Sequence, residues 1–336
     1  MTSHEFGIIG AGLAGLMLTR RLLEAGASPG DVALFDAGRP ERASSVPGAI
    51  FHPFPGRSIA PRADRLRQAR ETVETIERWR DRLGASTILT APMVRPLADN
   101  EQGRRLRESY AGADQYPDWL EIERVSGAQL RGLDPRLDTV EEAIVYRPAY
   151  SVDLAAVTDE LAADLAHHGV AIEEETPVEA IERRADGWRL ASPKRPAGHT
   201  VDTVVLAVGS ALDGWFPQLA MRGRGGEVLV TKRPTDPTLG CIINAGGHVA
   251  PHPGGGLAVG STWFDAEDFE GRTDDRARAE LVDRWADLFP DLRDDPTDEV
   301  WRGVRANFGD HQPLVGPIPG LDGVWAFGAF GSTGLL

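Results

Sequence analysis

The N-terminal part of the chain combines short apolar runs with one helical pattern. Residues 5–9 form an apolar run that predicts a buried strand, and residues 32–35 form a second run that ends on Asp36. Between these runs, leucines recur at helical spacing over residues 13–25, and Gly26 is placed to end the helix. The pattern therefore predicts a strand, a glycine-rich turn, a helix and a second strand, in that order.

The pattern changes after Asp36. Residues 43–58 are rich in Ser, Pro and Gly and predict irregular structure, and a long charged helix is predicted from about residue 61 to residue 83. Ser151 is predicted to cap a helix that ends near Gly169. Further elements are predicted as strands at residues 170–174, 178–183, 188–191, 203–209 and 324–327, antiparallel sheet within 225–264, and a helix from Thr273 to about residue 289.

The glycine-rich turn has the spacing of a dinucleotide-binding loop. Gly10 permits the tight turn, Gly12 lets the backbone approach a pyrophosphate, and Gly15 allows the helix to pack closely on the strand. The backbone N–H groups of Leu13 and Ala14 at the helix start are free to bind phosphate, and the helix dipole favours negative charge there. The strand, the helix and the second strand around this loop make a dinucleotide site the favoured interpretation.

Asp36 follows Gly15 by twenty-one residues and is placed to accept hydrogen bonds from a ribose diol. An NAD-binding domain usually continues through further strand and helix repeats, whereas here the pattern breaks off and resumes near Ser151. This interruption favours a flavoprotein. We predict an α/β fold with a Rossmann-type FAD-binding domain and an α+β substrate domain with a mostly antiparallel sheet. The FAD-binding domain is assigned to residues 1–55, 151–212 and 300–336, and the substrate domain to residues 56–150 and 213–299.

Composition narrows the possible partners. The net charge of -15, from 51 acidic and 36 basic residues, disfavours nucleic acid because an acidic surface repels phosphate backbones. No run of about eighteen apolar residues predicts a membrane span, and the first strand begins too early to leave room for a signal peptide. The single cysteine, Cys241, fits a reducing compartment, so we expect a cytoplasmic protein.

No metal site is predicted. His167 and His168 are neighbours on a predicted helix and point about 100° apart, so they are not expected to chelate one ion. His248 and His252 lie in a segment rich in Gly and Pro without nearby acids, and we interpret both as solvated loop histidines.

The order and spacing of these motifs resemble one family over nearly the whole chain. It is the D-amino-acid oxidase and glycine oxidase group of FAD-dependent oxidoreductases, which includes sarcosine oxidase and the oxidase domain of a tRNA-modifying enzyme. The segments that carry the resemblance are the loop at residues 10–15 with Asp36, Ala43-Ser44-Ser45, Gly48-Ala49, residues 204–209, Gly260-Ser261-Thr262, Trp301-Arg302-Gly303-Val304-Arg305, residues 310–316 and residues 328–334.

The resemblance implies FAD as cofactor and a set of residues along it. It implies that the flavin lies along Ser44, Ser45, Gly48 and Ala49 and that the adenine contacts Val178. It also implies that the adenosine and pyrophosphate lie near Ala207 and Gly209, and that the edge of the flavin ring faces Gly331, Ser332, Thr333 and Gly334. Backbone N–H groups of the last loop would face the negative charge that reduction creates on the ring. Family members continue from this loop into a helix, whereas the sequence stops at Leu336.

Oxidation in this family removes hydride from a carbon that bears an amine. The resulting imine is hydrolysed to a keto acid and an amine, and the electrons pass to dioxygen or another acceptor. A carboxylate-bearing amine substrate needs a cationic partner, and Arg305 matches the family position that binds the carboxylate. An ordinary salt bridge is the alternative for Arg305.

Two further residues are candidates for the catalytic site. His52 lies in the irregular segment expected near the flavin and is interpreted as a polar wall or proton donor, or else as a loop histidine bonded to backbone. Tyr150, together with Tyr146, is placed to line the substrate cavity or to pack in the core.

Four functions remain open at this level. The leading hypothesis is oxidation of the C–N bond of an amino acid or N-substituted amino acid. A 2-hydroxy acid dehydrogenase with an electron-transfer partner keeps the flavin but changes the substrate. A tRNA-modifying oxidase is opposed by the acidic charge, and a non-catalytic flavin-binding or assembly protein is favoured only by the absence of the terminal helix.

Overall fold

The computed structural model describes residues 3–56, 58–219, 221–233, 238–293, 298–331 and residue 334. Within these residues the α-helices, α1 to α7, are Leu13–Glu24, Ala63–Leu83, Glu101–Ser109, Ala128–Leu133, Leu154–His167, Leu212–Trp215 and Asp274–Trp285. The strands, β1 to β20, are Ser3–Ile9, Val32–Phe35, Ala49–Phe51, Ile88–Thr90, Met93–Pro96, Glu121–Ser126, Glu142–Arg147, Tyr150–Val152, Ala171–Glu173, Ala180–Arg184, Gly187–Ser192, Arg195–Leu206, Arg222–Val230, Ile242–Asn244, His248–Pro251, Leu257–Gly260, Phe264–Asp265, Glu299–Asn307, Leu314–Pro317 and Val324–Gly328.

One sheet contains the predicted dinucleotide-binding unit. Strand β1 lies between β12 and β2, and β9 pairs with the outer edge of β2, all in parallel. β20 pairs with the C-terminal half of β12, and the antiparallel strands β10 and β11 extend its N-terminal half. All four residues of β2 are buried, as expected for a parallel strand that is covered on both faces. Helices α1 and α5 pack against one face through Leu16, Val157 and Leu161.

The second, larger sheet runs in the order β17, β13, β16, β15, β14, β5, β7 and β6, with β18 paired to β13. Its pairs are antiparallel except for β14 with β5. One face packs on α7 in a core that includes Val94, Val145 and Trp285. The opposite face carries Met93 and Tyr146, because successive side chains of a strand point to opposite faces.

The α/β fold class with a mostly antiparallel second sheet is confirmed, but two local predictions differ from the structure. Ser151 lies within β8, and the helix that follows is capped by Asp153, whose carboxylate accepts a hydrogen bond from the N–H of Ala156. The boundary predicted at residue 300 separates strands that pair, because β18 forms nine consecutive pairs with β13 in the larger sheet. Only the chain beyond Asn307 returns to the dinucleotide-binding sheet, through β19 and β20.

Among the described helices, none combines the length and apolar character needed to cross a membrane.

Candidate functional site

A cavity of about 1930 Å³ extends between the two sheets. One side is formed by residues that follow the C-terminal ends of β1, β2 and β12, including Gly12, Asp36 and Ala207. In open parallel sheets, ligands bind in the crevice at this edge. The other side is formed by residues of the larger sheet, including His248 and Arg305. The cavity therefore joins a dinucleotide site to a second compartment.

The glycine loop has no room for a side chain at Gly10 or at Gly15. Gly10 has a φ of 105°, and a Cβ there would lie 2.4 Å from the carbonyl oxygen of Ala207. A Cβ on Gly15 would lie 1.9 Å from the carbonyl oxygen of Gly10. Gly12 is the N-cap of α1 and supplies no side-chain cap, so the first N–H groups of the helix remain available to a ligand. This geometry is that of a pyrophosphate cradle.

Asp36 holds the loop from the end of β2. One carboxylate oxygen accepts a hydrogen bond from the N–H of Ala11 at 2.8 Å, and the other accepts one from the N–H of Gly38 at 2.7 Å. Arg42 lies 3.5 Å from the same carboxylate. Each carboxylate oxygen has a further lone pair, so these bonds leave acceptor capacity for a ribose hydroxyl.

Arg305 lies on β18 at the second compartment. Its guanidinium carbon is 4.5 Å from the ring centre of Trp263, which is 59% exposed. Burial lowers the pKa of Arg305, and among the described residues no carboxylate counteracts that shift. On the neighbouring strand, a Cβ on Gly226 would lie 3.6 Å from Nη2 of Arg305. The salt bridge considered as an alternative for Arg305 is not formed with any described residue.

His52 lines the compartment and forms a hydrogen-bonded pair with Tyr146. The Tyr146 hydroxyl is 2.9 Å from Nδ1 of His52. Burial lowers the pKa of His52 to about 3, and the positive charges of Arg95 and His248 act in the same direction. Burial also raises the pKa of Tyr146 to about 12. Both side chains are therefore neutral at pH 7, and His52 does not act as an imidazolium donor.

The interpretation of His248 as a solvated loop histidine is wrong. His248 begins β15 and lines the cavity, where its Nε2 is buried without a hydrogen-bond partner among the described residues. Burial lowers its pKa to about 4, and the charge of Arg305 contributes to this shift. Gly260 on the neighbouring strand makes room for the ring, since a Cβ there would lie 2.6 Å from Cε1 of His248.

Arg95 is a further arginine on the cavity wall and is not among the residues predicted from the sequence. It lies on β5, is 1% exposed and lines the cavity. Its Nη2 donates a hydrogen bond to the carbonyl of Gly56 at 2.8 Å. Its Nε and Nη1 have no hydrogen-bond partner among the described residues.

Comparison with known proteins identifies the family. The sequence model of the DAO family, described as FAD dependent oxidoreductase, matches residues 5–336. The chain is a member of the DAO family. FAD is therefore its cofactor, and the protein is an FAD-dependent oxidoreductase, so the non-catalytic alternative is not retained.

Relatives of two kinds match this DAO-family chain. It is 28% identical over 346 residues to the tRNA 5-methylaminomethyl-2-thiouridine biosynthesis bifunctional protein MnmC of Caulobacter sp. (strain K31), a match that covers 98% of this chain and 52% of that protein. The chain thus spans about half the length of the curated relatives it matches. A glycine oxidase of Pseudomonas aeruginosa is 29% identical over 100 residues, 30% of this chain and 27% of that protein.

Solved structures share the DAO fold at low identity. Glycine oxidase from Geobacillus kaustophilus superposes with a TM-score of 0.82 at 20% identity, over 100% of this chain and 91% of that chain. Iminodiacetate oxidase from Chelativorans sp. BNC1 gives a TM-score of 0.79 at 18% identity, over 98% of this chain and 91% of that chain. At these identities the likeness establishes the fold.

The residues present fit FAD, because the glycine cradle and the second compartment are parts of one cavity. Most of the residues selected from the sequence line it: Gly10, Gly12, Leu13, Ala14, Asp36, Ser44, Gly48, Ala49, His52, Val178, Ala207, Gly209, Arg305, Gly331 and Gly334. Ser332 and Thr333 lie outside the described residues. The contacts that each lining residue makes with FAD stay predictions.

Three selected residues do not line this DAO-family cavity. Gly15 lies behind Gly10, where it permits packing, as the loop spacing predicts. Ser45 accepts a hydrogen bond from Nε of Arg42 at 2.7 Å.

Tyr150 is the third, and it is fully buried in the core of the dinucleotide-binding sheet. Its hydroxyl donates to Oε1 of Glu77 at 2.5 Å, so it faces α2 rather than the substrate compartment. Burial raises the pKa of Tyr150, with the Glu77 hydrogen bond adding to the shift. The position of Tyr150 therefore does not support the catalytic role predicted for it.

Proposed function

We propose that this chain oxidises the C–N bond of an amine that carries a carboxylate, giving an imine that water hydrolyses to a keto acid and an amine. The observation that carries the proposal is Arg305, a half-buried guanidinium without a carboxylate partner among the described residues, on the wall of the cavity that contains the glycine cradle. An unpaired buried charge is costly, so it is expected where a ligand supplies the opposite charge.

Bound FAD supplies the hydride acceptor, and dioxygen or another acceptor reoxidises it. Arg305 would hold the substrate carboxylate through two parallel N–H bonds, which fixes the orientation of the neighbouring carbon. His52 and His248 would bound the compartment as neutral rings, so they add no positive charge beside the amine. The chain's contribution is to orient the substrate and to keep the amine uncharged, since hydride leaves most readily from a carbon next to a free nitrogen lone pair.

The relatives support this substrate class. Glycine oxidases and an iminodiacetate oxidase are among the structures with the same fold, and the substrates in their names are amines with a carboxylate. A 2-hydroxy acid would satisfy Arg305 equally well, and the reaction test must therefore include both classes.

The proposal is tested by mixing the purified holoenzyme anaerobically with amino acids, N-methyl amino acids and 2-hydroxy acids. Loss of the oxidised flavin absorbance with amines, but not with hydroxy acids, is the expected result. In Arg305→Ala the apparent Kd of the reducing amine should rise by about thirtyfold or more, because a charge-assisted bidentate contact of about 2 kcal/mol is lost.

Arg224→Ala is the matched control. Arg224 lies opposite Arg305 in the β13 and β18 ladder, but its guanidinium pairs with Asp265 at an exposed site. Its removal should leave the apparent Kd within twofold. Reduction by hydroxy acids alone would refute the amine assignment, and an unchanged Kd in Arg305→Ala would refute the role of Arg305.

A second candidate is oxidation of an aminomethyl group on a tRNA uridine. The observation in its favour is the match to MnmC relatives over 98–100% of this chain. The net charge of -15 opposes it, because a surface of this sign repels a polyanion. Flavin reduction by tRNA that carries the aminomethyl group, with no reduction by free amino acids, would favour this candidate over the first.

A further inference from the structure

Arg95 follows two apolar, buried residues on its strand. Met93 and Val94 precede it in β5, and Ile144 is its partner on β7. Because side chains alternate along a strand, Arg95 shares the face of Met93 and Tyr146, and Arg95 reaches the cavity from this face. The guanidinium of Arg95 therefore lies among apolar side chains of the larger sheet, at the cavity wall.

The charge of Arg95 is only partly satisfied. One nitrogen, Nη2, donates to the carbonyl of Gly56, whereas Nε and Nη1 are buried and without a partner in the described part of the chain. Among the same residues, Arg95 forms no ion pair with Asp or Glu. A buried guanidinium carries five N–H donors, and desolvating them without partners is expensive. An anion that enters the cavity and accepts from Nε and Nη1 would satisfy both the charge and the free donors of Arg95.

The groups that face Arg95 do not supply that anion. His52 and Tyr146 lie close enough for the charge of Arg95 to act on both, and Tyr146 offers Arg95 only a neutral hydroxyl, because both side chains are neutral at pH 7. Glu101 also lines the cavity, but its carboxylate is paired with Arg104 and Arg105. His248 interacts with His52 and with Arg305. Arg95 and Arg305 thus form two positive ends of one wall, with neutral rings between them.

We propose that Arg95 binds a second anionic group of the substrate, so that the preferred substrates are amines with two carboxylates. The proposal rests on the proposed function, in which Arg305 binds the first carboxylate. A monocarboxylate amine would leave the Arg95 donors unpaired, and a dicarboxylate would satisfy both guanidinium groups at once. The second carboxylate then increases affinity and selects against neutral amino acids.

The test uses matched ligand pairs that differ by one carboxylate: alanine with aspartate, N-methylglycine with iminodiacetate, and the unreactive pair propionate with succinate. Each is titrated into the holoenzyme, and binding is followed by flavin absorbance changes or by anaerobic flavin reduction. In the wild type, the diacid of at least one amine pair should have an apparent Kd at least tenfold below that of its monoacid. Equal or weaker binding of every diacid would overturn the proposal.

Arg95→Gln removes the charge and keeps hydrogen-bonding groups on a shorter side chain. The diacid preference should fall to about one, and the Kd of the monoacid should stay within twofold. Arg95→Lys keeps the charge and should retain part of the preference. An unchanged preference in Arg95→Gln, or an equal loss for both members of a pair, would contradict the proposal. The wild-type comparison decides the matter even if a variant does not fold.

The two proposals fail differently. If no amine reduces the flavin, the proposed reaction is wrong, and the propionate and succinate pair still decides whether Arg95 recognises a second carboxylate. If amines reduce the flavin without any diacid preference, the reaction stands and the role of Arg95 is wrong.

Discussion

His52 and His248 are held neutral by the cavity, and this makes stability depend on pH. The pKa of His52 is lowered to about 3 and that of His248 to about 4, from an ordinary value of 6.5. Between about pH 4 and 6.5 the unfolded chain therefore binds more protons than the folded protein, and the unfolded state gains stability as the pH falls. The contribution of these groups is complete above pH 6.5 and is lost progressively below it.

From pH 7 to pH 5, we expect the free energy of unfolding to fall by about 2 kcal/mol for each histidine, at about 1.4 kcal/mol per pH unit below 6.5. Urea unfolding at pH 5, 6 and 7 measures this change. The double variant His52→Gln/His248→Gln should lose most of the pH dependence in this range. A slope equal to that of the wild type would show that other groups cause it.

Loss of the Tyr150 hydroxyl is expected to lower stability without changing catalysis. Tyr150→Phe removes the O–H that donates to Glu77, so the free energy of unfolding should fall by about 1 kcal/mol. Because Tyr150 lies away from the cavity, the rate of flavin reduction should stay within twofold. The control is Tyr110→Phe, whose ring stacks on Tyr116, with an expected change within about 0.5 kcal/mol. A large loss of the flavin-reduction rate in Tyr150→Phe would show that Tyr150 takes part in catalysis.

The sequence predicts a site residue best where neighbouring residues in the chain form the site. Gly10, Gly12 and Asp36 lie in one continuous segment, so spacing alone brings them together. Arg95 and His248 reach the cavity through strand pairing across distant parts of the chain, and the residues around each do not record that pairing. One local signal is present for Arg95, a charged residue within an apolar strand, since such a residue is rarely buried without a functional reason.

At the scale of elements, a buried ion cluster joins β13 to the turn that carries Trp263. Glu227 is 0% exposed and accepts hydrogen bonds from Nε of Arg272 at 2.9 Å and from the hydroxyl of Thr262 at 2.6 Å. Burial opposes its ionisation, but these hydrogen bonds outweigh burial and hold the pKa of Glu227 below its ordinary value. The cluster fixes the turn between β16 and β17 next to Arg305.

Arg272→Met leaves the Glu227 carboxylate buried and without its main partner. We expect the free energy of unfolding to fall by about 3–5 kcal/mol, measured by urea unfolding at pH 7. The double variant Glu227→Gln/Arg272→Met removes both charges and should recover most of the loss. If the double variant is as unstable as the single one, packing rather than charge explains the effect.

The predicted elements agree best where the signal is local. The strand, helix and strand at residues 3–35 agree with the prediction within about two residues at each end, because their apolar periodicity is strong. The boundary predicted at residue 300 differs from the strand pairing for a different reason. The local pattern of β18 does not specify its sheet, and β18 pairs with β13 over nine residues. Strand partners are set by the whole chain, so a local pattern does not specify them.

At the scale of the molecule, the cavity lies where the two sheets meet, and the cofactor cradle belongs to one sheet while Arg95 and Arg305 belong to the other. A ligand that fills both compartments contacts both sheets, so its binding energy adds to the stability of the folded protein as a whole. The net charge of -15 repels an anion at long range, whereas Arg95 and Arg305 on the cavity wall attract it at short range.

Trp263 gives the site an optical property. Its indole ring lies 4.5 Å from the guanidinium carbon of Arg305 and is largely open to solvent. An anion that pairs with Arg305 places a negative charge close to the indole and weakens the pull of the guanidinium on the ring face. Because indole emission shifts with the local electric field, an anion that binds at Arg305 is expected to change the emission of Trp263.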